Sequence, residues 1–271
     1  MNEPLLPYLL DIMTAPASKS LVLAGGLGLR LKQQFLRSSG ERWLIEGFED
    51  IRATQDMDFF LSMSMFLEPE MGLSFRDFLR REGYEPVENA KYFHFSKQVG
   101  QMEVKIDLLA RRPSKSERVK VSGPRVGSGI ELHGRVTPEA FSLEDSPFRL
   151  PLQGKKSNGE AVETSVFLPH AYTWLNMKVQ AAFDWVKNDK PGGRKHVKDV
   201  YALTAMLTES ELGKSVELAA KYREVREAGE VRRAYQELFS SNSSAGCREL
   251  REQGVDIDPA FFEGLQAALG I

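Results

Sequence analysis

The sequence has few of the features that cross-link a protein or anchor it in a membrane. Its 271 residues include one cysteine, Cys247, which excludes an intramolecular disulfide and a zinc site made of cysteines. Chains without disulfides are typical of a reducing compartment, and we therefore expect a cytoplasmic protein. Pro7 interrupts the apolar residues 5–10, and no segment approaches the roughly 20 apolar residues that span a bilayer. We expect neither export nor a membrane partner.

Other absences narrow the possible functions. The net charge is only −2, so the surface as a whole does not indicate a duplex nucleic-acid partner. The four histidines (His94, His133, His170 and His196) lack the spacing of metal ligands, and we interpret each as structural. No serine or cysteine nucleophile motif is present. Any polyanionic substrate must therefore be bound by a local group of residues.

The hydrophobic content of 42% is sufficient for a real core, and its pattern changes along the chain. Short apolar runs separated by turn residues fill the first half, whereas the last hundred residues have helical periodicity. This order predicts an α+β (α/β) protein with a mixed-sheet core at residues 1–168 and a helical C-terminal domain at 169–271.

The same patterns locate the individual elements. Strands are predicted at 21–24, 57–61, 92–97, 101–109 and 161–168, with a tight turn near Gly100 and another turn at 157–159. Helices are predicted at 27–35, 75–82, 170–187, 195–208, 210–224, 228–240 and 259–269. Residues 111–129 form a polar loop, and residues 188–193 break the helical region.

Two aspartates lie at the start of the second predicted strand. Asp56 and Asp58 are two residues apart, so a strand directs both to one face while Met57 and Phe59 point to the other. Two carboxylates held together on a rigid strand suit Mg²⁺, which completes its octahedron with water and phosphate oxygens. An ordinary solvated strand is the alternative explanation.

A third carboxylate comes from the strand at 101–109. Alternation places Glu103, Lys105 and Asp107 on one face of this strand and its apolar residues in the core. If this strand pairs beside that of Asp56, Asp107 joins a triad able to hold two metal ions. We interpret Glu103 and Lys105 as a cross-strand surface pair outside the site.

A glycine pair follows the first predicted strand. Gly25 and Gly26 lack side chains, so backbone N–H groups at the following helix start can approach a phosphate. Glycine pairs are also common in plain turns. The order of glycine turn, Asp-x-Asp and lone aspartate favours the phosphate interpretation.

Two charged residues lie on apolar helix faces in the C-terminal half. Lys178 lies at the centre of the apolar stripe of its helix, and Asp199 has apolar neighbours on the next helix. Helices joined by a short connection are antiparallel neighbours. The two side chains are expected either to pair, for structural reasons, or to converge on one ligand.

These residues together resemble the four motifs of the AbiEii-type nucleotidyltransferases, a toxin family of the polymerase-β-like superfamily. The resemblance covers residues 20–205 and consists of Gly25-Gly26, the run Arg52 to Asp58, Asp107 within 104–109, and Lys178 followed by Asp199 in the run 194–201.

The resemblance implies a Mg²⁺-dependent enzyme that uses an NTP, with two metal ions possible. It assigns Gly25, Gly26 and Thr54 to nucleotide binding, and it assigns the metals to three aspartates, Asp56, Asp58 and Asp107. It further implies that Lys178 contacts the nucleotide and that Asp199 completes the catalytic set. Many members are toxins, so the resemblance also implies a cognate antitoxin protein as a partner.

Two other functions fit parts of the sequence. Residues 23–31 also resemble the glycine loop of sugar-phosphate nucleotidyltransferases, with Gly28 and Arg30 in the expected places, but that family does not account for Lys178 and Asp199. Leu27 stands where the AbiEii-type family has a hydroxyl residue, and residues 38–50 are inserted before Asp56. A degenerate nucleotidyltransferase fold that serves as a binding module is therefore the third hypothesis.

The acceptor of the transferred nucleotide is indicated by one basic segment. Six cationic residues follow the Asp107 strand, with only Glu117 among them: Arg111, Arg112, Lys115, Arg118, Lys120 and Arg125. Such a loop can attract an RNA end, such as that of a tRNA, toward the metals. A solvated loop without RNA contacts, and a protein acceptor, remain alternatives.

Overall fold

The computed structural model describes residues 3–52, 54–90, 92–121, 123, 125–127, 129–188 and 193–271. The chain divides into two compact units. The first contains residues 1–30, 52–137 and 146–169, and the second contains 31–51, 138–145 and 170–271. The sequence predicted a single domain boundary at residue 168. The division in the structure differs, because residues 31–51 and 138–145 belong to the second unit. The predicted helix breaker falls largely on residues 189–192, which lie outside the described residues.

The first unit is built on one mixed sheet of eight strands. The strands within the described residues are β1 (Leu21–Leu23), β2 (Asp56–Leu61), β3 (Glu85–Pro86), β4 (His94–Val99), β5 (Met102–Ala110), β6 (Arg135–Val136), β7 (Phe148–Lys155) and β8 (Ala161–Leu168). Their order across the sheet is β3-β4-β5-β2-β1-β8-β7, with β6 paired to β5. β2 runs parallel to β5 and antiparallel to β1.

The centre of the sheet follows from strand periodicity. Val104, Ile106 and Leu108 of β5 are fully buried, and the intervening polar residues occupy the opposite face. β4 and β5 form the predicted hairpin, and Gly100 in its turn has φ +58°. A positive φ is a conformation that glycine adopts without steric cost.

Strand β7 was not predicted. It pairs with β8 over its whole length, and the predicted turn at 157–159 joins the two strands. Pro151 lies inside β7, and proline is normally excluded from central strands because it lacks an N–H. β7 is the last strand of the sheet, where a strand has one unpaired edge and tolerates proline.

Among the described residues, four α-helices begin in the first unit. They are α1 (Leu6–Met13), α2 (Gly25–Ser39), α3 (Met63–Leu67) and α4 (Pro69–Arg81). Pro7 lies in the first turn of α1, where a missing N–H costs nothing. Helix α2 begins at Gly25, so the glycine pair forms the start of the helix rather than a separate turn before it.

The second unit is helical, as predicted. Its helices are α5 (Ala171–Asn188), α6 (Arg194–Ala205), α7 (Glu209–Lys221), α8 (Arg226–Leu238), α9 (Ala245–Glu252) and α10 (Ala260–Leu269). The five predicted helices are confirmed, whereas α9 was missed. Thr208 and Glu211 form a capping box that starts α7. Among the described helices, none is both long and apolar enough to cross a membrane.

His170 makes the stability of the second unit depend on pH. Its Nδ1 accepts a hydrogen bond of 3.2 Å from the Tyr172 N–H at the start of α5, and burial lowers its pKa from 6.5 to about 4. Below pH 6.5 the unfolded chain takes up a proton that the folded chain does not, so stability falls as the pH drops. Between pH 7 and pH 4.5 we expect the free energy of unfolding to fall by about 2 kcal/mol more in wild type than in His170→Asn.

The asparagine variant is the matched control because its side-chain oxygen can still cap the helix but does not titrate. Urea denaturation of both proteins at the two pH values measures the difference. Parallel pH profiles for the two proteins would show that His170 does not titrate on unfolding.

Candidate functional site

Strands β2 and β5 bring the predicted carboxylates to one face of the sheet. Asp58 of β2 is the direct register partner of Asp107 of β5, and Asp56 is the partner of Lys105. All three aspartates are partly exposed, whereas Met57 and Phe59 on the opposite face are buried. The two strands therefore pair, which was the condition for bringing these carboxylates together, and Asp58 and Asp107 are neighbours across the pairing.

The glycine pair lies directly against Asp58. The N–H of Ala24 donates to the Asp58 carbonyl at 2.8 Å, which aligns the end of β1 with β2. Gly25 has φ +64°, and a Cβ placed on it would lie 1.8 Å from Oδ2 of Asp58. A Cβ on Gly26 would lie 3.3 Å from Cβ of Thr54, so the residues predicted to bind phosphate are all close to the Asp58 strand.

Thr54 supports the entry into β2. Its hydroxyl oxygen accepts a 3.3 Å hydrogen bond from the N–H of Asp56. Such a local side-chain to backbone bond fixes the chain where it enters the strand. Thr54 therefore has a structural contact in the first unit, beside the start of α2.

His94 also belongs to this face, although the sequence interpretation treated it as structural. It lies on β4 opposite Asp107, and its Nδ1 is 2.6 Å from Oδ1 of that residue. Both side chains are 26% exposed. Because a carboxylate can only accept, the imidazole Nδ1–H is the donor.

The donor chemistry fits a hard cation. Asp58 and Asp107 offer carboxylate oxygens from adjacent strands, and Mg²⁺ usually takes only one or two protein carboxylates, together with water and substrate phosphate. Within the described part of the chain, no three histidine, cysteine or acidic side chains are already close enough together to enclose a metal ion. Asp58 and Asp107 would be the principal ligands, with Asp56 two residues along the same face.

Lys178 and Asp199 form an ion pair in the second unit. Lys178 Nζ lies 2.7 Å from Oδ2 of Asp199, and the side chains are 13% and 9% exposed. Burial alone would raise the pKa of Asp199, but the charge of Lys178 and its hydrogen bond, together with the nearby His196, outweigh burial and lower that pKa. His196 Nδ1 is 3.8 Å from the same oxygen, and burial lowers the His196 pKa. Of the two alternatives expected from the sequence, the structure shows the ion pair.

This ion pair can be tested by removing one or both charges. Lys178→Met leaves a buried carboxylate without its cation, and we expect a loss of about 3 kcal/mol in the free energy of unfolding. Replacing both residues, by Lys178→Met with Asp199→Leu, is expected to recover most of that loss because no unpaired charge remains. Urea denaturation gives both values. Equal stability of wild type and the single variant would show that the pair does not hold α5 and α6 together.

The charged residues beside the carboxylates pair among themselves. Lys105 and Glu103 form a 3.2 Å ion pair along β5, rather than across strands as predicted. Arg111 donates two hydrogen bonds to Glu117, at 2.7 and 2.9 Å, and they lower the pKa of Glu117 to about 2. Glu117 therefore neutralises Arg111 of the basic loop.

No protein-family model matches this sequence, and no curated protein is significantly similar to it. The geometry of the site must therefore support any functional assignment by itself.

Proposed function

We propose that this protein is a Mg²⁺-dependent nucleotidyltransferase that moves a nucleoside monophosphate from an NTP to an acceptor. The observation that carries the proposal is the register of Asp58 beside Asp107, with the helix start at Gly25 packed against the Asp58 carboxylate. Carboxylates that bind metal and backbone N–H groups that bind phosphate are the two components that phosphoryl transfer requires.

Each residue has a distinct part in the proposed reaction. The acceptor hydroxyl oxygen bonds to the α-phosphorus and its proton passes to solvent; the bond from that phosphorus to the α–β bridging oxygen breaks, and pyrophosphate leaves. When bound, Mg²⁺ polarises the phosphate oxygens and offsets the charge that develops on them. Asp58 and Asp107 hold the cation, and the first N–H groups of α2 at Gly25 and Gly26 bind the phosphates, because such groups have no partner within the helix.

Two alternatives have less support. Arg30, which a sugar-phosphate nucleotidyltransferase would need at its phosphate loop, lies within α2 and forms a 3.0 Å ion pair with Glu3. Leu27 is fully buried, so this position belongs to the core and does not face a phosphate. The second alternative is a protein that binds the nucleotide without transferring it. It is motivated by Leu27, which has no hydroxyl to offer to a phosphate.

For the acceptor, we favour an RNA end over a protein. The support is the basic loop, which carries six cationic residues (Arg111, Arg112, Lys115, Arg118, Lys120 and Arg125) and one acidic residue, Glu117. A role as the toxin of a toxin–antitoxin pair, acting in the cytoplasm, is part of the same proposal and rests on the motif resemblance alone.

The proposal is tested by supplying each of the four NTPs, labelled at the α-phosphate, with Mg²⁺ and total cellular RNA or protein. Mg²⁺-dependent label in the RNA pool is the expected result. Label in the protein pool would change the acceptor but keep the reaction. Mg²⁺-dependent NTP binding with no label in either pool would favour the binding module.

A further inference from the structure

His94 is the histidine nearest the acidic face in the described chain, and the proposed reaction does not yet use it. The hairpin turn sets its position, because β4 and β5 pair with Val99 opposite Met102 and this register places His94 opposite Asp107. The 2.6 Å contact from Nδ1 engages Oδ1 of Asp107. The second carboxylate oxygen of Asp107 is not part of that bond.

We propose that His94 is a positioning residue that orients Asp107 for a divalent cation; the inference rests on the proposed function. An aspartate carboxylate rotates about χ2 over a broad range. A hydrogen bond from Nδ1–H to Oδ1 fixes that rotation and leaves Oδ2 for the metal. Residues that hold metal ligands in this way typically contribute 10- to 100-fold to metal affinity.

A purely structural cross-strand pair makes a different prediction. Such pairs add modestly to the stability of a sheet and have no effect on metal binding. Metal affinity, measured without substrate turnover, therefore separates positioning from sheet stability.

The test compares two variants of nearly identical shape in the full-length protein. Asparagine and leucine both branch at Cγ, and the Nδ2 of asparagine occupies the place of the histidine Nδ1. With Mn²⁺ as the probe, monitored by electron paramagnetic resonance, we expect His94→Leu to weaken binding by about 10- to 100-fold. His94→Asn is expected to retain most of the wild-type affinity, because it keeps a donor at the same position.

Two further variants make the result decisive. In His94→Gln the amide donor lies one bond further from the backbone. This variant is expected to weaken Mn²⁺ binding as His94→Leu does. It replaces His94→Leu in the test if the leucine variant does not fold. His133→Leu removes a histidine of the first unit whose ring packs at a tilt against the Tyr92 ring, and this variant is expected to bind Mn²⁺ like wild type.

The outcomes distinguish this proposal from the one it rests on. If folded His94→Leu or His94→Gln binds Mn²⁺ as tightly as wild type, the positioning role is overturned while the metal site stands. If wild type itself binds no Mn²⁺, both proposals are overturned.

Discussion

Gly25→Ala is expected to lower nucleotidyl transfer at least about a hundredfold and the free energy of unfolding by roughly 2–4 kcal/mol. One part of the loss in stability is conformational, since alanine at φ +64° is disfavoured by about 1 kcal/mol. The other part of the loss in stability is steric, because the new Cβ would lie 1.8 Å from Oδ2 of Asp58. Overpacking of this kind costs about 1–3 kcal/mol, and it displaces the carboxylate that holds the metal.

A matched control separates the two costs. Gly83 has φ +79°, and no atom lies within 4 Å of a Cβ placed on it. Gly83→Ala therefore carries only the conformational cost of about 1 kcal/mol and leaves transfer unchanged. If Gly25→Ala is no more harmful than Gly83→Ala in both measurements, the glycine is not needed for the position of Asp58.

Asp58→Asn is expected to lower kcat about a thousandfold or more while the protein stays folded. The amide has the shape of the carboxylate but carries no charge, so the cation loses a ligand that is worth several kcal/mol in the transition state. Each 1.4 kcal/mol corresponds to a factor of ten in rate. Label transfer under saturating Mg²⁺ and NTP measures the effect.

Glu103→Gln is the matched control for this substitution. Glu103 lies on the same face of β5 as Asp107, is exposed, and forms an ion pair with Lys105. Its neutralisation is expected to leave kcat within about twofold, because exposed ion pairs contribute at most about 1 kcal/mol. Similar losses in Glu103→Gln and Asp58→Asn would assign the effect to general surface charge.

The sequence predicted those parts of the site that depend on local periodicity. Alternation placed Asp58 and Asp107 on polar strand faces, and helical spacing placed Lys178 among apolar residues where it pairs with Asp199. Each of these predictions depends only on residues close by in the sequence, within about one helical turn or one strand. The sheet core and the helical C-terminal region were predictable for the same reason.

His94 could also have been predicted, because the hairpin register follows from the position of its turn. With the turn at Gly100 and Gln101, Val99 pairs with Met102, and five steps further His94 meets Asp107. The spacing of the histidines along the chain, which is what identifies metal ligands, does not reveal this contact. A ligand's orienting partner is a neighbour across strands and has no spacing rule in sequence.

Lys32 illustrates what local patterns cannot reveal. It is 1% exposed and lies 2.6 Å from the carboxylate of Glu211, 179 positions further along the chain. A lysine in a helix is normally solvated, so only the tertiary partner explains its burial. The assignment of residues 31–51 to the second unit likewise depends on packing and not on composition.

The most direct test of the metal–nucleotide site is equilibrium binding of an NTP with and without Mg²⁺, in wild type and in Asp58→Asn combined with Asp107→Asn. We predict saturable binding in wild type that requires Mg²⁺ and is lost in the double variant. Binding of equal strength in the presence of a chelator, or an unchanged affinity in the double variant, would contradict the assignment of this acidic face.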